Sequence, residues 1–314
     1  MAFLFSKRLQ FFCCAVLTLL FILYALFVAP TVAYPTESVV HVDSGSSISE
    51  VGSMLVEHHV LATAFGFKLF SSLLGGVQAG TYALHARQTS FMLAYRMARG
   101  LTELTPLRVT IPEGSTVRDM GERLELTLMD FDAPAFVHDA TQYEGYLFPE
   151  TYFFLPGSPP EVVIRTMRDE YEKNILPLRP QMASSSRSES DIIIMASLLE
   201  REARKPETKK IVSGILWKRI DLGMPLQVDA VFGYIHATTT YSPTFEELEI
   251  DSPYNTYRNK GLPPGPINAP GLESILAALE PTKTPYLYYL TGADGTMHYA
   301  RTFEEHIANR RFLR

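Results

Sequence analysis

Residues Phe11 to Ala29, FFCCAVLTLLFILYALFVA, carry no charge. That run constrains the chain most, because a helix of this length crosses a hydrocarbon core of about 30 Å. Lys7 and Arg8 stand just before it. By the positive-inside rule they stay in the cytoplasm, which puts everything after the run outside. The rival reading is a cleavable leader cut after Ala33. The run is long for a leader's apolar core, so an uncleaved anchor is the expectation. Both readings export the rest of the chain. The two cysteines, Cys13 and Cys14, lie inside the run, so the exported part can hold neither a disulfide nor a cysteine metal site.

The length of 314 residues suggests roughly two domains. A net charge of −6 with no basic stripe argues against a nucleic-acid partner. After the anchor the chain repeats itself. VHVDSGSSISEVGSML (Val40 to Leu55) aligns without gaps on VTIPEGSTVRDMGERL (Val109 to Leu124), with Gly45 on Gly114 and Gly52 on Gly121. Each copy reads as a short strand, a glycine turn and a Ser- or Thr-capped helix with Glu50 or Asp119 in its first turn. Between the copies the pattern gives a helix, a strand and another helix. The β-α-α-β order suggests a small LysM-like module, and a plain αβ packing domain fits the pattern equally well.

From about residue 130 the texture changes. The aromatic stretch YEGYLFPETYFFLP is followed by a helix from about Pro160 and a Ser-rich loop over 177–190. Ser188, with Asp191 three residues on, caps a helix whose DIIIMASLLE is apolar nearly all round, which marks a buried core helix. Pro206 opens the next helix and Gly223 closes it. The last third is loop-rich, with one helix at LESILAALE, a hairpin and a final helix.

The buried helix ends in two carboxylates, Glu200 and Glu202, roughly 200° apart around its axis. Glu200 shares its face with Ala196, Ser197 and Ala203, which leave room above it. Glu202 shares its face with Leu198 and Leu199, with Lys205 three residues on. On that basis Glu200 is the candidate general acid, its pKa raised by desolvation, and Glu202 a helix-end surface charge. A solvated Glu200 is the plain alternative. The histidines lack metal-binding spacing and no G-x-S-x-G elbow occurs, so no metal or other cofactor and no serine nucleophile is expected.

The set EGYLFPETYFF, ASLLERE, LQVDAVFGY, SPYNTYRNKGLPPGPINAPG and MHYARTFEEH, in this order behind one anchor, resembles the endolytic murein transglycosylase (MltG, or YceG-like) family. The resemblance implies an α+β chain: a cytoplasmic tail (1–8), a single transmembrane helix (9–30), a LysM-like αβ subdomain (37–106) and an α+β catalytic domain (107–314). It implies a single-pass protein of the bacterial inner membrane with its catalytic domain on the periplasmic side. Its partners would be that membrane, peptidoglycan glycan strands and cell-wall synthesis proteins. The implied reaction cleaves the MurNAc–GlcNAc bond and leaves 1,6-anhydro-MurNAc ends, terminating or trimming nascent strands. The family's acid is mapped onto Glu200. Glu144, Tyr146, Tyr152, Gln227, Asp229, Tyr254, Asn255 and Tyr257 are the expected substrate contacts. A non-catalytic glycan-binding scaffold and a muramidase-type hydrolase are the alternatives.

Overall fold

The computed structural model describes residues 7–36, 38–128, 131–238 and 243–313. The chain divides into two units, the first ending at Pro106 and the second starting at Leu107.

The first unit opens with α1 (Lys7–Phe27), a helix over the expected anchor. Among the described residues no helix is long and apolar enough to cross a membrane, so the transmembrane reading of α1 gains no support here. Strand β1 (Ser38–Val42) then leads to α2 (Ile48–Glu57), α3 (Phe65–Leu74), β2 (Gly80–Leu84) and α4 (Ser90–Arg99). β1 and β2 pair antiparallel, Ser38 opposite Leu84 and Val42 opposite Gly80. The Ser47 side chain caps α2 and Glu50 returns the bond, closing a capping box. Val42, Leu55, Phe67, Leu93 and Met97 form the core. Arg96 is buried there too, and its guanidinium is satisfied by Gln88 Oε1 at 2.7 Å, by the Leu101 and Thr102 carbonyls and by Glu103. A buried charge survives only when paired in this way.

The second unit begins with the same device. β3 (Leu107–Thr110) is followed by α5 (Val117–Thr127), α6 (Ala133–Ala140) and β4 (Thr151–Phe154), which pairs antiparallel with β3. Thr116 and Asp119 close the second capping box. The β-α-α-β order thus occurs twice, over a longer span than the sixteen residues in which the sequence repeats. The matched glycines have one cause. A Cβ on Gly52 would stand 3.2 Å from Ala64, just before α3, and one on Gly121 would stand 2.8 Å from Val137 on α6. Each lets the second helix pack close on the first.

Behind this lie α7 (Pro160–Ile175), α8 (Arg179–Ser184), α9 (Glu189–Glu202), α10 (Pro206–Asp221), α11 (Ala230–His236) and α12 (Leu272–Leu279). The hairpin β5 (Tyr288–Thr291) and β6 (Met297–Ala300) and then α13 (Phe303–Asn309) end the fold. The stretch expected as a Ser-rich loop forms α8, because Pro180 sits in its first turn and Gln, Met and Ala follow. Helix α9 is the centre of the unit. Every residue from Ile192 to Leu199 is buried, against Val212, Leu216 and Trp217 of α10 and Ile275 and Ala278 of α12. Each apolar side chain removed from water there contributes about 1.5–3 kcal/mol. The helix is therefore a rigid mount for whatever its last turn carries.

Candidate active site

Helix α9 stops at Glu202, because Ala203 turns into extended backbone. Its last turn sends Glu200 and Glu202 in different directions, as a two-residue step on a helix must.

Glu200 points into protein. Lys209 of α10 donates to its Oε1 at 3.0 Å, and the Gly271 N–H donates to its Oε2 at 2.9 Å. The two side chains are 8% and 3% exposed. The room left by Ala196 and Ser197 is filled by the segment 267–271. The Ile267 N–H reaches Ser197 Oγ at 3.1 Å, and the Asn268 amide donates to the Ser197 carbonyl at 2.9 Å. A Cβ on Gly271 would meet the Glu113 carboxylate, which would have to swing aside. Glu200 lines none of the cavities described below. The geometry corrects its reading as the acid facing a cleft: small neighbours admit a loop as readily as a substrate.

Glu202 has the opposite setting. It lines two adjoining cavities of about 430 and about 590 Å³, and Asp229 lines both with it. The Tyr289 hydroxyl donates to its Oε2 at 2.8 Å. Burial pushes the carboxyl up to about 7, the Tyr289 hydrogen bond opposes this, and the Asp229 charge adds to it. Glu202 is therefore not a surface charge paired with Lys205. The readable signal was its own neighbours. Leu199 and Leu198, three and four residues back, are core residues, so an acid stacked on them continues the buried face.

Asp229 opens α11, and its Oδ1 accepts the Tyr257 hydroxyl. Gln227 and Tyr257 line the larger cavity. Gln227 holds a φ of 52°, a left-handed conformation costing on the order of 1 kcal/mol in a non-glycine residue. The Thr256 carbonyl accepts its N–H at 3.2 Å, and Thr256 Oγ1 accepts that of Val228 at 3.0 Å. These bonds keep the strained turn in place beside Asp229.

A third cavity, about 510 Å³, shares Thr116, Gly233, Tyr234 and Thr238 with the first. Glu144 lines it and accepts the Val117 N–H at 3.3 Å, at the start of α5. Burial pushes this carboxyl up to about 7 as well, the Val117 bond opposing it. The three cavities form one groove within the second unit, with Glu202 and Asp229 between its ends. Tyr288, Phe303, His306 and Arg310 line one end and Arg118 and Glu144 the other. Among the described residues no group of three or more His, Cys, Asp or Glu could hold a metal ion.

Four expected substrate contacts lie outside the groove. The Tyr152 hydroxyl donates to the Phe148 carbonyl at 2.6 Å and its ring stacks on Phe154, in the core. The Tyr146 ring meets Tyr171 edge-on and its hydroxyl reaches Ser190 Oγ at 3.4 Å. Asn255 is buried: its amide donates to the Leu248 and Ile250 carbonyls at 2.9 Å, and its Oδ1 accepts the Tyr257 N–H at 3.0 Å. Tyr254 packs on Tyr234 with ring centroids 5.0 Å apart. These side chains set loops and core for chemical reasons a motif cannot display. Sequence reasoning missed Tyr289, which reaches Glu202 from the far hairpin.

Three comparisons bear on this groove. Residues 40–311 match the YceG-like family. An endolytic murein transglycosylase of Bacillus subtilis (strain 168) is 29% identical over 296 residues, covering 85% of this chain and 82% of the relative. One of Streptococcus pneumoniae serotype 2 is 28% identical over 318 residues, covering 86% of this chain but 57% of the longer relative. A crystal structure of a YceG-like protein from Listeria monocytogenes aligns with a TM-score of 0.59 at 29% identity, covering 87% of this chain and 98% of that one.

Proposed function

The chain belongs to the YceG-like family, and from that premise we propose that it is an endolytic murein transglycosylase whose proton donor is Glu202. It is a lyase acting on peptidoglycan, as its relatives' names indicate. The observation that carries the residue assignment is the pairing of a carboxyl raised to about 7 with a place inside the groove, on the last turn of a fully packed helix. A general acid works best with a pKa near the working pH, and burial raises Glu202 toward it. An open groove that continues on both sides of the acid suits cutting within a strand.

The protonated carboxyl of Glu202 donates to the oxygen between MurNAc and GlcNAc, and positive charge develops at the muramic C1. The ionised carboxyl then takes the proton from the muramic C6 hydroxyl as that oxygen closes on C1. The chain is cut without water, leaving a 1,6-anhydro end, and one carboxyl serves as acid and then base. Tyr289 holds Glu202 in one orientation. Asp229, fixed by Tyr257, offers negative charge to the developing cation. Gln227 and Tyr257 are proposed sugar contacts, and Glu144 a contact further along the strand. Glu200 holds the 267–271 loop.

Asp229 also supports a second reading. A hydrolase needs a second carboxylate about 5–10 Å from the acid to activate water, and Asp229 shares both cavities with Glu202. Digestion of purified sacculi followed by mass spectrometry separates the two. Anhydro-muramic ends are expected, and ends one water heavier would mean a muramidase. Glu202→Gln should abolish release, and full release by that variant would remove Glu202 from the chemistry.

Anchoring belongs to the same proposal. Its support is the uncharged run Phe11–Ala29 behind Lys7 and Arg8. The second unit would then face the periplasmic side of the inner membrane, where glycan strands and the proteins that synthesise them are found. The β-α-α-β order of the first unit supports a LysM-like role in holding glycan.

A further inference from the structure

The end of α1 is fastened to the helices that follow it. The Ser90 N–H donates to the Val28 carbonyl at 3.0 Å, and Ser90 Oγ to that of Phe27 at 3.2 Å. The Phe27 ring lies 5.2 Å from Phe65, the first residue of α3. A Cβ on Gly66 would stand 2.0 Å from the Phe27 carbonyl oxygen, so the approach requires glycine. The first turns of α3 and α4 are therefore fixed at the point where α1 ends.

The outward side of those helices is apolar. Phe65, Leu69 and Leu73 recur at helical spacing on α3, with Phe65 60% and Leu73 75% exposed. Phe91, Met92 and Tyr95 continue the patch on α4, and Phe91 meets Phe70 of α3 edge-on at 5.3 Å. Single exposed apolar residues need no explanation, but a contiguous group does. Neither helix carries an acid. From His58 to Thr102 there is no Asp or Glu, while Lys68, Arg87, Arg96 and Arg99 fall in that span of a chain whose net charge is −6. Arg96 is buried and paired, Lys68 donates to Ser49 Oγ and Arg87 to the Val32 carbonyl, and Arg99 lies over the Tyr95 ring. An apolar and aromatic face on two helices that carry cations and no acid is the composition of a surface that lies among anionic headgroups.

We infer that the α3/α4 face seats on the anionic lipid surface from which α1 emerges, holding the first unit against the membrane. The inference rests on the proposed anchoring by α1. A second copy of the chain is a poorer occupant, since two such faces would bring like charges together.

The test uses the full chain with Cys13→Ser and Cys14→Ser. A single cysteine at Leu69→Cys or Leu73→Cys carries a fluorophore, in vesicles of phosphatidylglycerol and phosphatidylethanolamine. Labels at Leu17→Cys in α1 and Leu126→Cys, exposed on α5, are references. Labels at 69 and 73 should be quenched by lipid-borne nitroxide and be about fivefold less reachable by acrylamide than the label at 126. Replacing phosphatidylglycerol with phosphatidylcholine should weaken both effects. Labels at 69 and 73 as reachable as that at 126, with the label at 17 inside the bilayer, would overturn the inference and spare the anchor. A label at 17 in water would remove the anchor itself. Shielding that ignores lipid charge and falls as protein is diluted in lipid would mark a second copy and overturn the inference.

Discussion

The last turn of α9 has two sides, and each carries one glutamate on the same rigid helix. On one side Glu200 meets a lysine and a backbone N–H within 3.0 Å and is closed over by a loop. On the other Glu202 meets a tyrosine hydroxyl and an open groove. Residue type and helix are shared, so the difference lies in what packs above each. Glu200 has a protein partner on each carboxylate oxygen and lines none of the three cavities. Glu202 faces the cavities, and burial pushes its carboxyl up to about 7, where it can give a proton to a substrate.

The largest effect expected follows from this. Glu202→Gln should lower glycan cleavage by about a thousandfold, within the range a positioned general acid contributes. Glu200→Gln, measured on the fraction that stays folded, should keep cleavage within about tenfold, since its damage is to packing. A reversed pair of results in a sacculus digest would return the chemistry to Glu200.

Stability should show the opposite order. Lys209→Met leaves Glu200 as an uncompensated buried charge and should cost about 3–5 kcal/mol. Adding Glu200→Leu should restore most of it, because the pair is then replaced by apolar groups. Denaturant midpoints of the three proteins decide this, and a double variant as unstable as the single would mean the pair is not self-contained.

The groove side has its own pH signature. Glu202 is raised to about 7 in the fold from an ordinary 4.5. A carboxyl raised on folding adds stability fully present below its unfolded pKa and lost as pH rises through its folded one. Between pH 4.5 and about 7 the wild type should therefore lose stability that Glu202→Gln keeps, leaving the variant more stable at pH 8 by about 2 kcal/mol after screening in an open groove. Glu144, also near 7, titrates in both proteins and cancels in the difference. With Glu202 as the proposed proton donor, cleavage should fall above about pH 7. Tyr289→Phe removes the hydrogen bond that lowers the pKa, so that limb should move to higher pH.

The sequence displayed the helix, its cap and its end, because capping boxes and apolar runs are local signals. Ser188 and Asp191 close the box that starts α9, as their spacing requires. The repeat was legible for the same reason. The different settings of the two acids were not, since they turn on the 267–271 loop, Lys209 of α10 and Tyr289 of the hairpin. Asn255 and Tyr152 misled for a related reason. Polar atoms that could read a sugar also satisfy buried carbonyls, and only the fold decides which they do.

Tyr289 and Tyr146 place hydroxyls at opposite ends of α9, and deleting each gives the finest test of the contrast. Tyr289 donates to Glu202 at the last turn at 2.8 Å. Tyr146 reaches Ser190 in the first turn at 3.4 Å, long and weak. Tyr289→Phe should shift the pH profile. Tyr146→Phe should leave rate and pH profile unchanged and cost about 0.5 kcal/mol or less, because the ring keeps its contact with Tyr171. A change in KM for Tyr146→Phe would bring that residue back to the substrate and extend the groove beyond the Glu144 end.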